Sequence, residues 1–224
     1  MTQPPPDPCA LAERAAQAAE EGRIQEAREG IAKALAGAGG EESATDLRVL
    51  FLAFQFHFRQ GELDVAERLC RRRLHVAEEL ERTSGKRDTH TGRACCNLGL
   101  VLQYAGKLDA AEASLRRAIE HDRAINHEES VARDLGTLAL VFEARNDLDT
   151  AERLYLEALA IAERIGCEPI IATDCANLGD IALARGEREK AQMLWQRAVE
   201  ILTRLGSWKV KGVAEKLAAL SKPS

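Results

Sequence analysis

The feature that most constrains the fold of this chain is a short segment that recurs five times at a nearly constant spacing. Its copies read EEGRIQEA, RQGELDVA, YAGKLDAA, ARNDLDTA and ARGEREKA. The small turn residues are Gly22, Gly61, Gly106, Asn146 and Gly186, separated by 39, 45, 40 and 40 residues. Glycine and asparagine tolerate the positive φ of a tight turn more readily than other residues. Five copies at one period predict a chain built from stacked helix-turn-helix units.

The residues on both sides of each turn have helical spacing. In the third copy, Cys95, Leu98, Gly99 and Leu102 precede the turn, and Ala111, Leu115 and Ala118 follow it. The fourth and fifth copies repeat these offsets of three, four and seven residues, which are the offsets of one helix face. Small residues are expected where paired helices cross closely, and large ones where the remaining space must be filled.

This pattern resembles the tetratricopeptide repeat, whose first helix carries W-x2-L-G-x2-Y and whose second carries A-x3-F-x2-A. The period near forty residues is longer than the ~34 residues of the common repeat. Together with the N-L-G of the first helix, it resembles the kinesin light chain branch and its bacterial relatives. The resemblance implies an all-α, right-handed helical-repeat solenoid of five units with a C-terminal capping helix. The predicted division is a disordered tail at 1–7, repeats at 8–39, 47–84, 92–126, 130–167 and 171–206, a capping helix at 207–220 and a tail at 221–224.

The segment VLFLAFQFHFRQG, from Val49 to Gly61, holds four of the five phenylalanines. Its FQFHF alternates apolar and polar residues as a half-buried strand would, but its alignment with the other copies predicts the first helix of the second repeat. Phe54 and Phe56 are then core residues. Phe51 and Phe58 lie seven residues apart on another face, and two interpretations stay open for them. Either a rearranged unit buries both rings, or both contact a ligand.

In tetratricopeptide proteins the first helices line a concave groove, and the resemblance places a peptide-binding site there. The predicted peptide-binding residues are Arg48, Phe51, Gln55, Phe58, Arg93, Asn97, Leu100, Tyr104, Arg133, Thr137, Leu140, Asn177 and Asp180. The amides of Asn97 and Asn177 can donate to and accept from a peptide backbone at the same time. Arg48, Arg93 and Arg133 recur once per unit and suit acidic side chains or a terminal carboxylate. The expected partner is therefore a protein or peptide of acidic character.

Two further groups of residues carry predictions about burial. Cys70, Cys95 and Cys175 align with core slots, where a thiol behaves as a small apolar side chain. Cys96 faces differently and Cys167 lies in a loop, so either is a candidate for an exposed thiol. The run Arg71, Arg72 and Arg73 lies on a second helix and is interpreted as a solvated face.

Composition and motif searches narrow the function classes. A net charge of −5 gives no general attraction to nucleic acid, and no apolar run is long enough for membrane insertion. The six cysteines lack a CxxC pair and the five histidines lack a metal-ligand spacing, so no catalytic residue, metal or cofactor is predicted. We expect a cytoplasmic, non-catalytic adaptor that holds a partner peptide. A bacterial peptide-sensing regulatory module and a scaffold that self-assembles through its end repeats are the alternatives.

Overall fold

The computed structural model describes residues 7–38 and 44–220, and this part of the chain contains helices and no strand. The predicted all-α class is confirmed, and the strand interpretation of FQFHF is wrong. Both predicted tails, apart from Asp7, and residues 39–43 lie outside the described residues. The helices are α1 (Pro8–Glu20), α2 (Ile24–Gly37), α3 (Ala44–Arg59), α4 (Leu63–Ser84), α5 (Thr89–Tyr104), α6 (Leu108–Ala124), α7 (Glu128–Ala144), α8 (Leu148–Ile165), α9 (Glu168–Ala184), α10 (Arg188–Arg204) and α11 (Val210–Leu220).

The turns form where the recurring segment predicts them. All five predicted turn residues have positive φ, from 60° at Asn146 to 80° at Gly186. A second series at Gly85, Asn126, Gly166 and Gly206 also has positive φ and closes the loop between one pair and the next. Asn and Gly reach this left-handed region without the clash between Cβ and backbone that other residues meet. Nine of the eleven described helices, all except α2 and α11, are therefore followed by such a turn residue.

The chain divides into two compact units, of which the first comprises residues 1–121. Within its described residues, α1 packs on α2, α3 on α4, and α4 on α5. Asp7, assigned to the tail by the sequence, is the N-cap of α1, where its carboxylate accepts from the Cys9 backbone N–H at 3.1 Å. Phe54 and Phe56 are each 4% exposed, which confirms both as core.

The second unit comprises residues 122–224 and is described up to residue 220. Here α7 packs on α8, α8 on α9, α9 on α10, and α10 on α11. Burial repeats residue for residue between 131–140 on α7 and 171–180 on α9, so the forty-residue period of the sequence is also the period of the core. Trp195 of α10 is 1% exposed, and its indole N–H donates to the Ala176 carbonyl oxygen of α9 at 3.1 Å.

Close helix crossings explain the small residues of the recurring helix pattern. A Cβ added to Gly99 would lie 2.5 Å from Cγ of Leu115, and one added to Gly179 would lie 2.5 Å from the Trp195 ring. Real Cβ atoms do not approach other carbons so closely. Glycine at these two positions therefore makes room for the large residue of the following helix.

The burial predictions are met with two exceptions. Cys70, Cys95 and Cys175 are buried as expected, and Cys167 is half-buried. Cys96 is only 7% exposed, so the suggestion of an exposed thiol there is wrong. The reason is that α5 packs against α4 as well as against Leu115 of α6, which encloses residues outside the signature slots. Arg71 and Arg72 are exposed, but Arg73 is buried, so the solvated-face interpretation fails for that residue.

Candidate functional site

In the first unit, eight of the predicted peptide-binding residues lie on α3 and α5. Along each helix they are spaced by three or four residues, so they share one face of it. The two helices meet where the Phe58 and Tyr104 rings pack edge to face, with centroids 5.1 Å apart and planes at 89°. We call this surface the α3–α5 face. Its members are Arg48, Phe51, Gln55, Phe58, Arg93, Asn97, Leu100 and Tyr104.

The aromatic residues of the α3–α5 face form a continuous series. Phe51 lies 6.2 Å from Phe54, and Phe54 lies 5.7 Å from Phe58, measured between ring centroids. Phe54 is the buried member of this series, whereas Phe51 and Phe58 are half-buried. Tyr104 continues the series into solvent with 62% of its surface exposed. The open question about Phe51 and Phe58 has an intermediate answer, because both residues pack against neighbouring rings and both stay partly accessible to solvent.

The polar groups of the α3–α5 face are largely uncommitted within the described residues. The amides of Gln55 and Asn97 are half-buried and make no hydrogen bond to the described part of the chain. Arg93 is exposed and forms no ion pair there. Arg48 has only a long contact of 3.4 Å to Glu13. Partly desolvated donors and acceptors without partners are what a bound peptide backbone would satisfy.

Sequence reasoning missed Arg73 of α4 as a member of this site. Its guanidinium carbon lies 5.1 Å from the centroid of the Phe51 ring, so the buried cation stacks on an aromatic ring of the α3–α5 face. Burial, with a smaller contribution from the Arg93 charge, lowers the pKa of Arg73 to about 10. A signal was present in the sequence, since Arg73 aligns with the small residues Ala118, Ala158 and Ala198.

In the second unit, the predicted residues on α7 and α9 are mostly engaged by the chain itself. Arg133 donates to the Ser130 hydroxyl oxygen at 2.7 Å, and the Thr137 hydroxyl donates to the Arg133 carbonyl oxygen at 2.9 Å. The Asp180 carboxylate accepts from Lys216 of α11 at 2.6 Å and from the Trp195 indole at 3.2 Å. Leu140 and Asn177 are half-buried. The polar groups of these residues are therefore less available for hydrogen bonds to a ligand than those of the α3–α5 face.

The second feature that sequence reasoning missed is the buried acid Asp174 on α9. Asp174 is 2% exposed, and its carboxyl Oδ2 is enclosed without a hydrogen-bond partner among the described residues. Burial raises the pKa of Asp174 to about 8. The carboxyl of Glu143 on α7 also has a pKa raised by burial. Both carboxyls show that polar groups of this unit face inward, away from water.

Comparison with known proteins agrees with this architecture. Residues 90–164 match the family model described as tetratricopeptide repeat. The predicted resemblance is confirmed. No curated protein matches the sequence. None of the helices within residues 7–38 and 44–220 is long and apolar enough to cross a membrane.

Solved structures show the same fold at low identity. BtubC (BKLC) from P. vanneervenii is 21% identical with a TM-score of 0.66, covering 95% of this chain and 81% of that one. A putative kinesin light chain with TPR-like repeats from Podosopora anserina is 19% identical with a TM-score of 0.67, covering 88% and 97%. A Rap protein complexed with Competence and Sporulation Factor is 14% identical with a TM-score of 0.74, covering 92% of this chain and 56% of that one. The kinesin-light-chain-like repeat fold expected from the sequence is therefore observed.

Proposed function

We propose that this protein is a non-catalytic interaction adaptor that holds a peptide segment of a partner protein on the α3–α5 face. One observation carries the proposal. The face combines half-buried rings with half-buried amides that make no hydrogen bond within the described residues. An extended peptide would supply both the apolar contact and the missing hydrogen bonds. The family match and the Rap neighbour complexed with Competence and Sporulation Factor support a ligand-binding role for this fold.

The contacts of the peptide follow from the chemistry of each group. Phe58 and Tyr104 provide an edge-to-face aromatic pair against which an apolar side chain packs. Gln55 and Asn97 each offer a donor and an acceptor, which can pair with a peptide carbonyl and N–H independently of the peptide sequence. Affinity then comes from the rings and backbone contacts, and selectivity comes from the charges around them.

Site-specific photo-crosslinking tests the proposal in the native host. A benzophenone amino acid replaces Tyr104, and a matched control carries it at Met193 of α10, which is similarly exposed at 66%. We expect one partner protein to be captured from position 104 and not from position 193, and the capture to be lost when Asn97→Ala is added. Capture of the same partner from both positions, or none from position 104, would show that the α3–α5 face is not the binding surface.

A further inference from the structure

The most unusual side chain in the first unit is the guanidinium of Arg73. The residue is only 5% exposed, and its Nε and Nη1 are enclosed without a hydrogen-bond partner among the described residues. Among the described residues, no carboxylate forms an ion pair with it. Burying a cation without a partner costs several kcal/mol, of order the effective desolvation penalty of an ion in a protein interior. Such a residue opposes folding of the free chain.

Neighbouring repeats show that the fold does not require a cation at this position. The equivalent residues Ala118, Ala158 and Ala198 are all fully buried. Arg73 thus occupies a methyl-sized slot with a long side chain that extends to Phe51 of α3. Its contact with that ring offsets only part of the desolvation cost.

A second positive charge lies close to the first. Arg93 lies on α5, the helix that packs on α4, and its charge contributes to the lowered pKa of Arg73. Arg93 is itself exposed without an ion-pair partner in the described residues. These two like charges repel each other, and neither forms an ion pair within the described residues. An anion placed near both would relieve the repulsion and supply the missing acceptors together.

We infer that Arg73 and Arg93 form a carboxylate-binding subsite at the Phe51 end of the α3–α5 face. The planar guanidinium of Arg73 carries N–H donors in a fork that matches the two oxygens of a carboxylate, and the exposed Arg93 of α5 supplies a second positive charge. The inference rests on the proposed function, because the carboxylate belongs to the bound peptide. Its source is an acidic side chain or the C-terminal carboxylate of that peptide.

Small carboxylate probes test the subsite without knowledge of the partner. The probes are N-acetyl-glutamate N-methylamide for a side chain, N-acetyl-leucine for a C-terminus, N-acetyl-glutamine N-methylamide as the neutral match, and inorganic phosphate. Binding is followed through the ¹⁵N Nε–H signals of the arginines, assigned with Arg73→Met and Arg93→Ala. We expect saturable shifts of both signals with one or both carboxylates, at least ten-fold weaker effects with the glutamine probe, and loss of saturation in either variant.

The arms of the experiment have distinct meanings. A tighter response to one of the two carboxylate probes identifies the source of the carboxylate in the peptide. Tighter binding of phosphate than of either carboxylate overturns the assignment to a carboxylate. Absence of saturation with every probe, or equal saturation in Arg73→Met, overturns the subsite itself.

Stability measurements separate binding from a purely structural role of Arg73. Because the cation is unpaired, Arg73→Met should raise the Tm of the free chain, while Arg93→Ala, which changes an exposed residue, should leave it almost unchanged. A lower Tm of Arg73→Met together with unaltered probe binding would make Arg73 a structural residue. If partner crosslinking at position 104 persists while every probe fails, the subsite is wrong and the adaptor function stands. If the probes saturate while crosslinking fails, the subsite stands and the adaptor function is wrong.

Discussion

Replacement of Asp174 by asparagine should stabilise the second unit in a strongly pH-dependent way. Asp174 is almost fully buried on α9, and its Oδ2 has no hydrogen-bond partner. Its Oδ1 faces the backbone of α7 where Gly136 lacks a side chain, since a Cβ there would be 3.0 Å away. Asparagine has nearly the same shape and does not ionise. The substitution therefore removes the cost of the charge with little change in packing.

The magnitude follows from the raised pKa. The carboxyl has a pKa of about 8 in the folded chain against 3.8 when unperturbed. Between these values the unfolded chain releases a proton that the folded chain retains, so folding stability falls by about 1.4 kcal/mol for each pH unit. Stability is thus greatest below pH 4, declines as the pH rises towards 8, and is level above it. At pH 7 the ceiling on this loss is about 4 kcal/mol, and relaxation around the carboxylate lowers it to about 2–3 kcal/mol.

Chemical denaturation of Asp174→Asn and wild type at pH 4.5, 6, 7 and 8.5 measures the effect. We expect the two proteins to differ by less than about 1 kcal/mol at pH 4.5 and by about 3–4 kcal/mol at pH 8.5, with the variant more stable. Asp64→Asn is the matched control, because Asp64 is an exposed acid in the first turn of α4. Its effect should stay within about 1 kcal/mol and should not grow across this range. A stability difference for Asp174→Asn that is the same at every pH would refute the reasoning.

Three other predictions concern helix packing, helix propensity and thiol reactivity. Gly99→Ala should lower the free energy of unfolding by about 1–3 kcal/mol, because the new Cβ would overlap Leu115. Gly212→Ala should raise it by about 0.5–1 kcal/mol, since the position on α11 has open space and alanine favours helix. Urea titration measures both, and a Gly99→Ala variant as stable as wild type would contradict the crossing argument. Maleimide labelling followed by mass spectrometry should modify Cys167 in the folded chain and Cys70 only after unfolding, because burial raises the pKa of Cys70 to about 12. Equal labelling rates for these two thiols in the folded chain would disprove the prediction about thiol reactivity.

The fold could be predicted because its determinants are local and repeated. The same pattern of small and large residues begins at Gly61, Gly106 and Gly186. Where one copy has an irregular residue, the other copies still show the pattern. Phe54 illustrates this, since it departs from the small-residue pattern and its helix still forms. The kinesin-light-chain-like resemblance followed from the same regularity.

The site was less predictable because alignment gives the position of a residue and not its partners. Thr137 and Asp180 have the right positions, but the Arg133 carbonyl and Lys216 engage them. A charged residue in a core slot is ambiguous in the sequence, because it can turn outward or stay buried. Arg73 and Asp174 both stay buried, and only packing of the neighbouring helices decides this.

The spacing of the turns limits how a protein of this kind can change its length. From Gly106 to Gly206, a residue with positive φ occurs every 20 residues, at Gly106, Asn126, Asn146, Gly166, Gly186 and Gly206. An insertion of 20 residues within the second unit would reverse the direction of every later helix and present second-helix residues where first-helix residues belong. An insertion or deletion of 40 residues keeps direction and register, since α7 and α9 bury the same positions. Recombination can therefore lengthen or shorten this part of the chain only in whole repeats.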